Sequence, residues 1–189
     1  VAPVALITNW QREAARFFPG RFDPVVHVNG PDLPEDFVAA AAYLSSLRLV
    51  LVSYETLRRH ELSFAQVSWQ TVILDEAQKA KNPDTQIARV IRTLQANFRL
   101  AVTGTPVENS LTELWTLIDW LAPGLLGSLR DFNRDFTLPL QNDYEAGRED
   151  LASQLQQTIR PIFLRRTKQE VLVDKLPPIS VSRHTVPLS

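Results

Sequence analysis

Val72-Ile73-Leu74-Asp75-Glu76-Ala77-Gln78-Lys79-Ala80-Lys81-Asn82-Pro83 drives three aliphatic side chains straight into two adjacent carboxylates. An aliphatic run of this kind has the pattern of a strand buried on both faces of a parallel sheet. In open parallel α/β sheets, ligands sit beyond the carboxyl ends of the strands. Asp75 and Glu76 therefore stand where a ligand would be. An acidic pair there suits nucleotide hydrolysis, with one carboxylate holding Mg²⁺ and its neighbour orienting or deprotonating the attacking water. It also fits a strand-end Asp capping the next turn beside a solvated Glu, and the pair alone does not decide.

A second strand end carries related chemistry. In Phe98–Trp115 (FRLAVTGTPVENSLTELW) an apolar strand again runs into a small polar turn, Thr103-Gly104-Thr105-Pro106. Gly104 permits close backbone approach and the two threonines offer hydroxyls to a crevice. A plain βα turn with Ser110 capping the next helix is the alternative.

Outward from these two segments the chain alternates short strands with helices. Strands are expected at Val25–Val28, Leu49–Ser53, Thr71–Asp75 and Arg99–Thr103, and helices at Pro34–Leu47 and Asp84–Gln95. Thr8-Asn9-Trp10-Gln11 has the form of a capping box opening a helix through Phe17. This alternation predicts βαβ units and a parallel sheet. After Thr105 it stops, and Leu111–Leu121, Leu129–Phe136 and Tyr144–Ile159 all read as helix. A sheet-based core is thus followed by a helical appendage.

Composition bounds the possibilities. The 189 residues are 44% hydrophobic and 22% charged, ordinary values for a globular domain. No apolar run approaches the roughly 20 residues that span a bilayer, so no membrane partner is expected. The absence of cysteine excludes disulfides and thiolate metal sites, and His27, His60 and His184 lack ligand spacing. A net charge of −1 gives no global sign of nucleic-acid binding, which must rest on local patches. The chain opens on Val1, contains no methionine and closes in an alternating SVSRHTVPLS, which reads as a piece of a longer protein.

DEAQ at 75–78 with Lys81-Asn82-Pro83, and LAVTGTPVENSLTELW at 100–115, resemble motifs II and III of the Swi/Snf-type DNA translocases of helicase superfamily two. APVALITNWQREAARFFP is similar to that family's motif Ia region and LVSYETLRRH to its motif Ib region. Trp69 stands where a tryptophan commonly precedes the motif II strand, and PIFLRRTKQEVLVDKLPP resembles the segment leaving the first motor lobe. The glutamine of DEAQ is typical of bacterial members. The resemblance implies a RecA-like parallel sheet flanked by helices, a P-loop NTPase lobe lacking its phosphate-loop strand.

It also implies roles. Asp75 would hold Mg²⁺, Glu76 would activate water for attack on ATP, and Gln78 would sense the nucleotide. Thr103, Gly104 and Thr105 would couple nucleotide state to the DNA track. Asn9, Trp10, Ser53, Tyr54, Arg58, Arg59, Lys81 and Asn82 are candidates for the nucleic-acid path, although Trp10 fits a core aromatic as well. Arg165, Arg166 and Lys168 would face a second lobe.

The chain departs from the family pattern where the phosphates should bind. Its six glycines, at 20, 30, 104, 124, 127 and 147, include none followed by lysine, so no G-x-x-x-x-G-K-[ST] loop is present. Arginine fingers would belong to the second lobe. The implied organisation is a lobe-one core over 1–121, a helical appendage and exit segment over 122–176, and a linker from 177 to 189. The expected function is part of the motor of a double-stranded DNA translocase acting through phosphate contacts on a protein–DNA target in the cytoplasm, inactive alone. An RNA-helicase or restriction-complex lobe, or a non-catalytic nucleic-acid adaptor, is the alternative. Loss of the phosphate-loop strand should also leave the motif III strand unpaired on one side.

Overall fold

Pro3 decides where the first helix begins. Its ring fixes φ at −54°, with ψ at 143°, and helix α1 (Val4–Phe17) starts at the next residue. Thr8 and Asn9 therefore lie inside α1, and the capping box expected at Thr8 does not form. In this computed structural model residues 1–22, 25–105, 110–141 and 148–166 are described.

Four strands alternate with helices as expected. β1 (Val26–Val28) pairs in parallel with β2 (Val50–Val52), in register from Val26↔Val50 to Val28↔Val52. Between them lies α2 (Phe37–Ser46), whose first turn is capped by Asp36 accepting from the Ala39 N–H at 2.8 Å. After β2 come α3 (Tyr54–Arg59) and α4 (Glu61–Ala65), then β3 (Ser68–Asp75). α5 (Gln86–Thr93) leads back to β4 (Gln95–Val102), which pairs in parallel with β3 from Ser68↔Gln95 to Asp75↔Val102. Both long strands start earlier than expected. Leu94 takes extended angles (φ −69°, ψ 121°), so α5 ends at Thr93 and the chain enters β4 at once.

The expected single sheet is interrupted. β2 and β3 do not pair with each other; Val1 and Ala2 lie between them. The Ala2 N–H donates to Val52 O at 3.0 Å, the Val1 amino group to Ile73 O at 2.8 Å, and the Asp75 N–H to Val1 O at 2.9 Å. These two residues occupy one strand's width, about 4.8 Å on either side. The rest of that width is an open groove of about 530 Å³ between β2 and β3, lined by residues that include Leu49, Leu51, Trp69 and Trp10.

One face of the strands carries the main core. Val28, Val52, Val72 and Leu74 pack there with Leu44, Leu57, Phe64, Val90 and Ile91. α6 (Leu111–Leu121) divides this core from a second one. Leu117 and Trp120 turn toward the sheet, and the Trp120 indole donates to Ile91 O at 2.9 Å. Leu114, Trp115 and Ile118 turn away, toward Phe132 of α7 (Leu129–Phe132) and Leu155 and Ile159 of α9 (Arg148–Ile159). α7 continues through a π turn at Asn133–Thr137 into α8 (Leu138–Gln141). The expected helix at Tyr144–Ile159 starts at Arg148 in its described part, because 142–147 lie outside the described residues.

The opposite face is covered unevenly. α1 covers it over β2, where Ile7 packs on Ala2 and Leu51. Over β3 and β4 the positions paired on that face include Thr71↔Phe98 and Ile73↔Leu100. Phe98 and Leu100 remain exposed there, as does Val102 opposite Asp75. The run Val72-Ile73-Leu74 of β3 is thus buried on one face of the sheet, not two. As expected, β4 pairs only with β3 among the described residues. No helix among them is long and apolar enough to cross a membrane.

Candidate nucleotide and metal site

β3 ends at Asp75 and the backbone turns sharply at Glu76, whose φ and ψ of 53° and 50° are left-handed. Among the described residues it is the single non-glycine with positive φ, a conformation that costs on the order of 1 kcal/mol for a side chain of this kind. The turn lets two consecutive carboxylates leave the strand in different directions. The Glu76 N–H donates back to Asp75 Oδ1 at 3.0 Å, and the Trp10 indole N–H donates to Asp75 Oδ2 at 2.7 Å. Beneath them the Tyr54 phenol donates to the Asp75 carbonyl at 2.9 Å. Burial, then the charges of Asp75 and Glu76, push the Tyr54 phenol well above its usual pKa, so it stays a protonated donor.

Glu76 faces a second line of contacts. Its Oε2 accepts from Gln78 Nε2 at 2.5 Å, and Gln78 Oε1 accepts from the Thr103 hydroxyl at 2.7 Å. An ionised carboxylate only accepts, so the amide nitrogen must face Glu76 and its oxygen must face Thr103. Thr103 Oγ1 in turn accepts from the Thr105 N–H at 3.1 Å. A change at Glu76 thus reaches the β4 turn through one amide side chain. Gly104 sits in open space: a Cβ there would meet no atom within 4 Å.

No group of three or more His, Cys, Asp or Glu side chains able to hold a metal occurs among the described residues. One carboxylate with a lone pair left on each oxygen fits Mg²⁺, which keeps most of its water and takes further ligands from phosphates. Residues 1–189 match the SNF2-related domain family along their whole length. The chain belongs to the SNF2-related family.

Relatives and solved structures resemble this SNF2-related chain over nearly all of its length. The chain is 40% identical over 192 residues to the putative ATP-dependent helicase/translocase YwqA of Bacillus subtilis (strain 168), covering 100% of this chain and 20% of that protein. It is 39% identical to the Zorya protein ZorD of Escherichia coli O139:H28 (strain E24377A / ETEC), covering 92% and 18%. Among solved structures, the SWI2/SNF2 ATPase core of Sulfolobus solfataricus in complex with double-stranded DNA superposes with a TM-score of 0.72 at 29% identity, covering 93% of this chain and 35% of that one. The chain therefore has the RecA-like lobe of that core, and it spans about a fifth of the length of these two curated relatives.

Within this SNF2-related lobe the candidate residues separate into groups. Asp75, Glu76, Gln78 and Thr103 come together in one network, with Thr105 at its end. Two nucleic-acid candidates turn inward. Ser53 is buried and caps α3, its Oγ accepting from the Thr56 N–H at 3.0 Å. Tyr54 is also buried, beneath Asp75. Trp10 is half-buried, with its indole N–H on Asp75.

Lys81 also turns inward. Its side chain is 13% exposed and pairs at 3.3 Å with Glu113 of α6, itself 10% exposed, tying the segment after β3 to the helix after β4. Nothing in the motifs marks Glu113 for this pairing. Asn82 is exposed, and its Oδ1 accepts from the Asp84 N–H at 3.0 Å in the turn before α5. Arg58 is shared between Glu55, which it approaches to 2.5 Å, and Gln86 at 2.8 Å. That guanidinium holds the Glu55 carboxyl below its usual range. Arg59 and Asn9 are exposed, as are Arg165 and Arg166, whereas Lys168 lies outside the described residues.

The role of Trp10 had a signal in the sequence. Ile7, Trp10 and Ala14 fall at i, i+3 and i+7, one helical stripe, and Ile7 and Ala14 are both buried. Reading the stripe turns the tryptophan inward.

Proposed function

We propose that this lobe is the water-activating half of the ATPase site in a motor that moves on double-stranded DNA. The observation that carries the reading is the unbroken line Glu76–Gln78–Thr103–Thr105, which joins the would-be base to the β4 turn. Asp75 would hold Mg²⁺, which when bound would neutralise charge on the phosphates of ATP. Glu76 would take a proton from the attacking water at Oε1, while Gln78 holds Oε2. Turnover needs a phosphate loop and, from a second RecA-like lobe, arginines; neither is supplied by the network described. Asn9, Arg59 and Asn82, with Arg58, are the candidates for phosphates of the DNA backbone, and Arg165, Arg166 and Lys168 for the second lobe. A remodelled protein–DNA complex is the proposed target. Similarity to the putative helicase/translocase YwqA and to the DNA-bound SWI2/SNF2 core supports this reading over an RNA helicase, and the intact acidic pair supports it over an adaptor.

Glu76→Gln, in the protein that carries the complete motor, tests it. The amide keeps shape and hydrogen bonding but removes the base, so DNA-stimulated ATP hydrolysis should fall by about 10²–10⁴-fold with nucleotide binding retained. Unchanged turnover would remove Glu76 from the mechanism.

A further inference from the structure

Four tryptophans show what is unusual about one of them. The indoles of Trp69, Trp115 and Trp120 donate to backbone carbonyls, of Phe64 at 3.1 Å, Gly127 at 3.2 Å and Ile91 at 2.9 Å. All three pack in or against the two main cores. These bonds satisfy a buried donor and need no further explanation. Trp10 donates instead to a side-chain carboxylate, 65 residues away in sequence, at 2.7 Å.

That carboxylate has a donor on each oxygen, the Glu76 N–H on Oδ1 and the Trp10 indole on Oδ2. Together they fix the plane of the carboxylate as well as its position. The choice of donor matters chemically. Lysine or arginine at Trp10's place would neutralise Asp75 and compete with a cation for it. An indole N–H is a neutral donor with no acceptor, so it orients the carboxylate and leaves its charge and two of its four lone-pair sites in place. The indole is itself held, because Trp10 packs beside Ala2, Ile7 and Leu51 on the inward stripe of α1. Supporting hydrogen bonds of this kind orient metal ligands in general.

We infer that Trp10 is a positioning residue for Asp75, its indole N–H holding the carboxylate in the orientation that receives a divalent cation. This rests on the reading of Asp75 as the metal carboxylate. It places α1 in the working part of the site.

The test uses the 189-residue chain with ¹⁵N-labelled backbone and indoles, and Mn²⁺ as a paramagnetic probe. Asp75→Ala should move the Trp10 indole signal and leave the other three unchanged. Mn²⁺ should broaden the Glu76 amide and the Trp10 indole before the other indoles, and should not do so in Asp75→Ala. Trp10→Phe should raise the Mn²⁺ concentration for half-maximal broadening of the Glu76 amide by about tenfold. Trp69→Phe, which also deletes a half-buried indole bond, should leave that concentration unchanged, and this separates positioning from a loss of packing. A Trp10 indole that ignores Asp75→Ala overturns the inference, and that measurement keeps Trp10 in place should Trp10→Phe unfold. So does an unaltered Mn²⁺ midpoint in folded Trp10→Phe. Broadening around Asp75 that is missing from the unsubstituted chain overturns the metal reading and the inference with it, even where the indole shift remains.

Discussion

The two faces of the β3–β4 pair differ more than the sequence of either strand suggests. On one, Leu74 is 0% exposed among Val90, Ile91, Leu117 and Trp120. On the other, Phe98, Leu100 and Val102 are 58%, 40% and 43% exposed. The apolar residues are similar in kind, so what separates them is the presence of α5 and α6 on one side only. Asp75 belongs by its register with Val102 to the bare side, and α1 reaches it from the edge through Trp10. The candidate metal carboxylate sits on the face with less packing.

The largest effect expected from this difference is on stability. Leu74→Ala should cost about 2–5 kcal/mol, because the surrounding side chains can close only part of the cavity. Leu100→Ala, with the same atoms deleted, should change stability by less than about 0.5 kcal/mol. Leu100→Lys should in addition reduce concentration-dependent association, since an open strand edge beside an apolar face invites pairing. Urea denaturation and light scattering measure these. A Leu100→Ala loss equal to that of Leu74→Ala would mean the bare face is covered in solution.

The strands, their order along the chain and the residues that meet at the ends of β3 and β4 were legible because each leaves a local mark. Aliphatic runs ending in Asp-Glu or Thr-Gly-Thr carry strand and site in one stretch. Two things were not legible, for a common reason. Whether Ile73 is buried depends on which helix lies over it, and whether Ser53 meets a phosphate depends on which N–H its hydroxyl finds. Both are set by partners distant in space or by a single local choice of cap. Lys81 belongs here too. Beside two carboxylates it reads as a phosphate ligand, and only the approach of α6 shows that Glu113 takes it.

That ion pair gives the next smaller effect, again as a contrast between regions. Glu113→Gln removes the carboxylate 3.3 Å from the nearly buried Lys81 and should lower stability by about 1.5–3 kcal/mol. Glu55→Gln, at the exposed pair with Arg58 and Arg59, should produce no resolvable change, since solvent and salt screen such contacts. Unfolding midpoints at two salt concentrations check both, and the Glu113 effect should survive the higher salt. Equal losses for the two substitutions would show that Lys81 and Glu113 are as solvated as the surface pair.

The smallest effect separates a cap from a contact. Ser53 stands at the end of β2, where a phosphate ligand would be sought, yet its hydroxyl accepts from the Thr56 N–H and donates to the Thr56 hydroxyl at 3.0 Å. Removing that oxygen orphans a donor in the first turn of α3, so Ser53→Ala should cost about 1 kcal/mol, or roughly 2–4 °C in melting temperature for a chain of this size. Ser53→Asn offers an equivalent acceptor and should recover most of the loss, whereas Ser53→Gly, with no side-chain acceptor, should lose a few tenths of a kcal/mol. Duplex affinity at fixed salt should be the same in all three, because α3 keeps its place and no phosphate contact is lost. A variant that melts like the unsubstituted chain but binds duplex tenfold more weakly would reverse the assignment, making the hydroxyl a DNA ligand and the cap incidental.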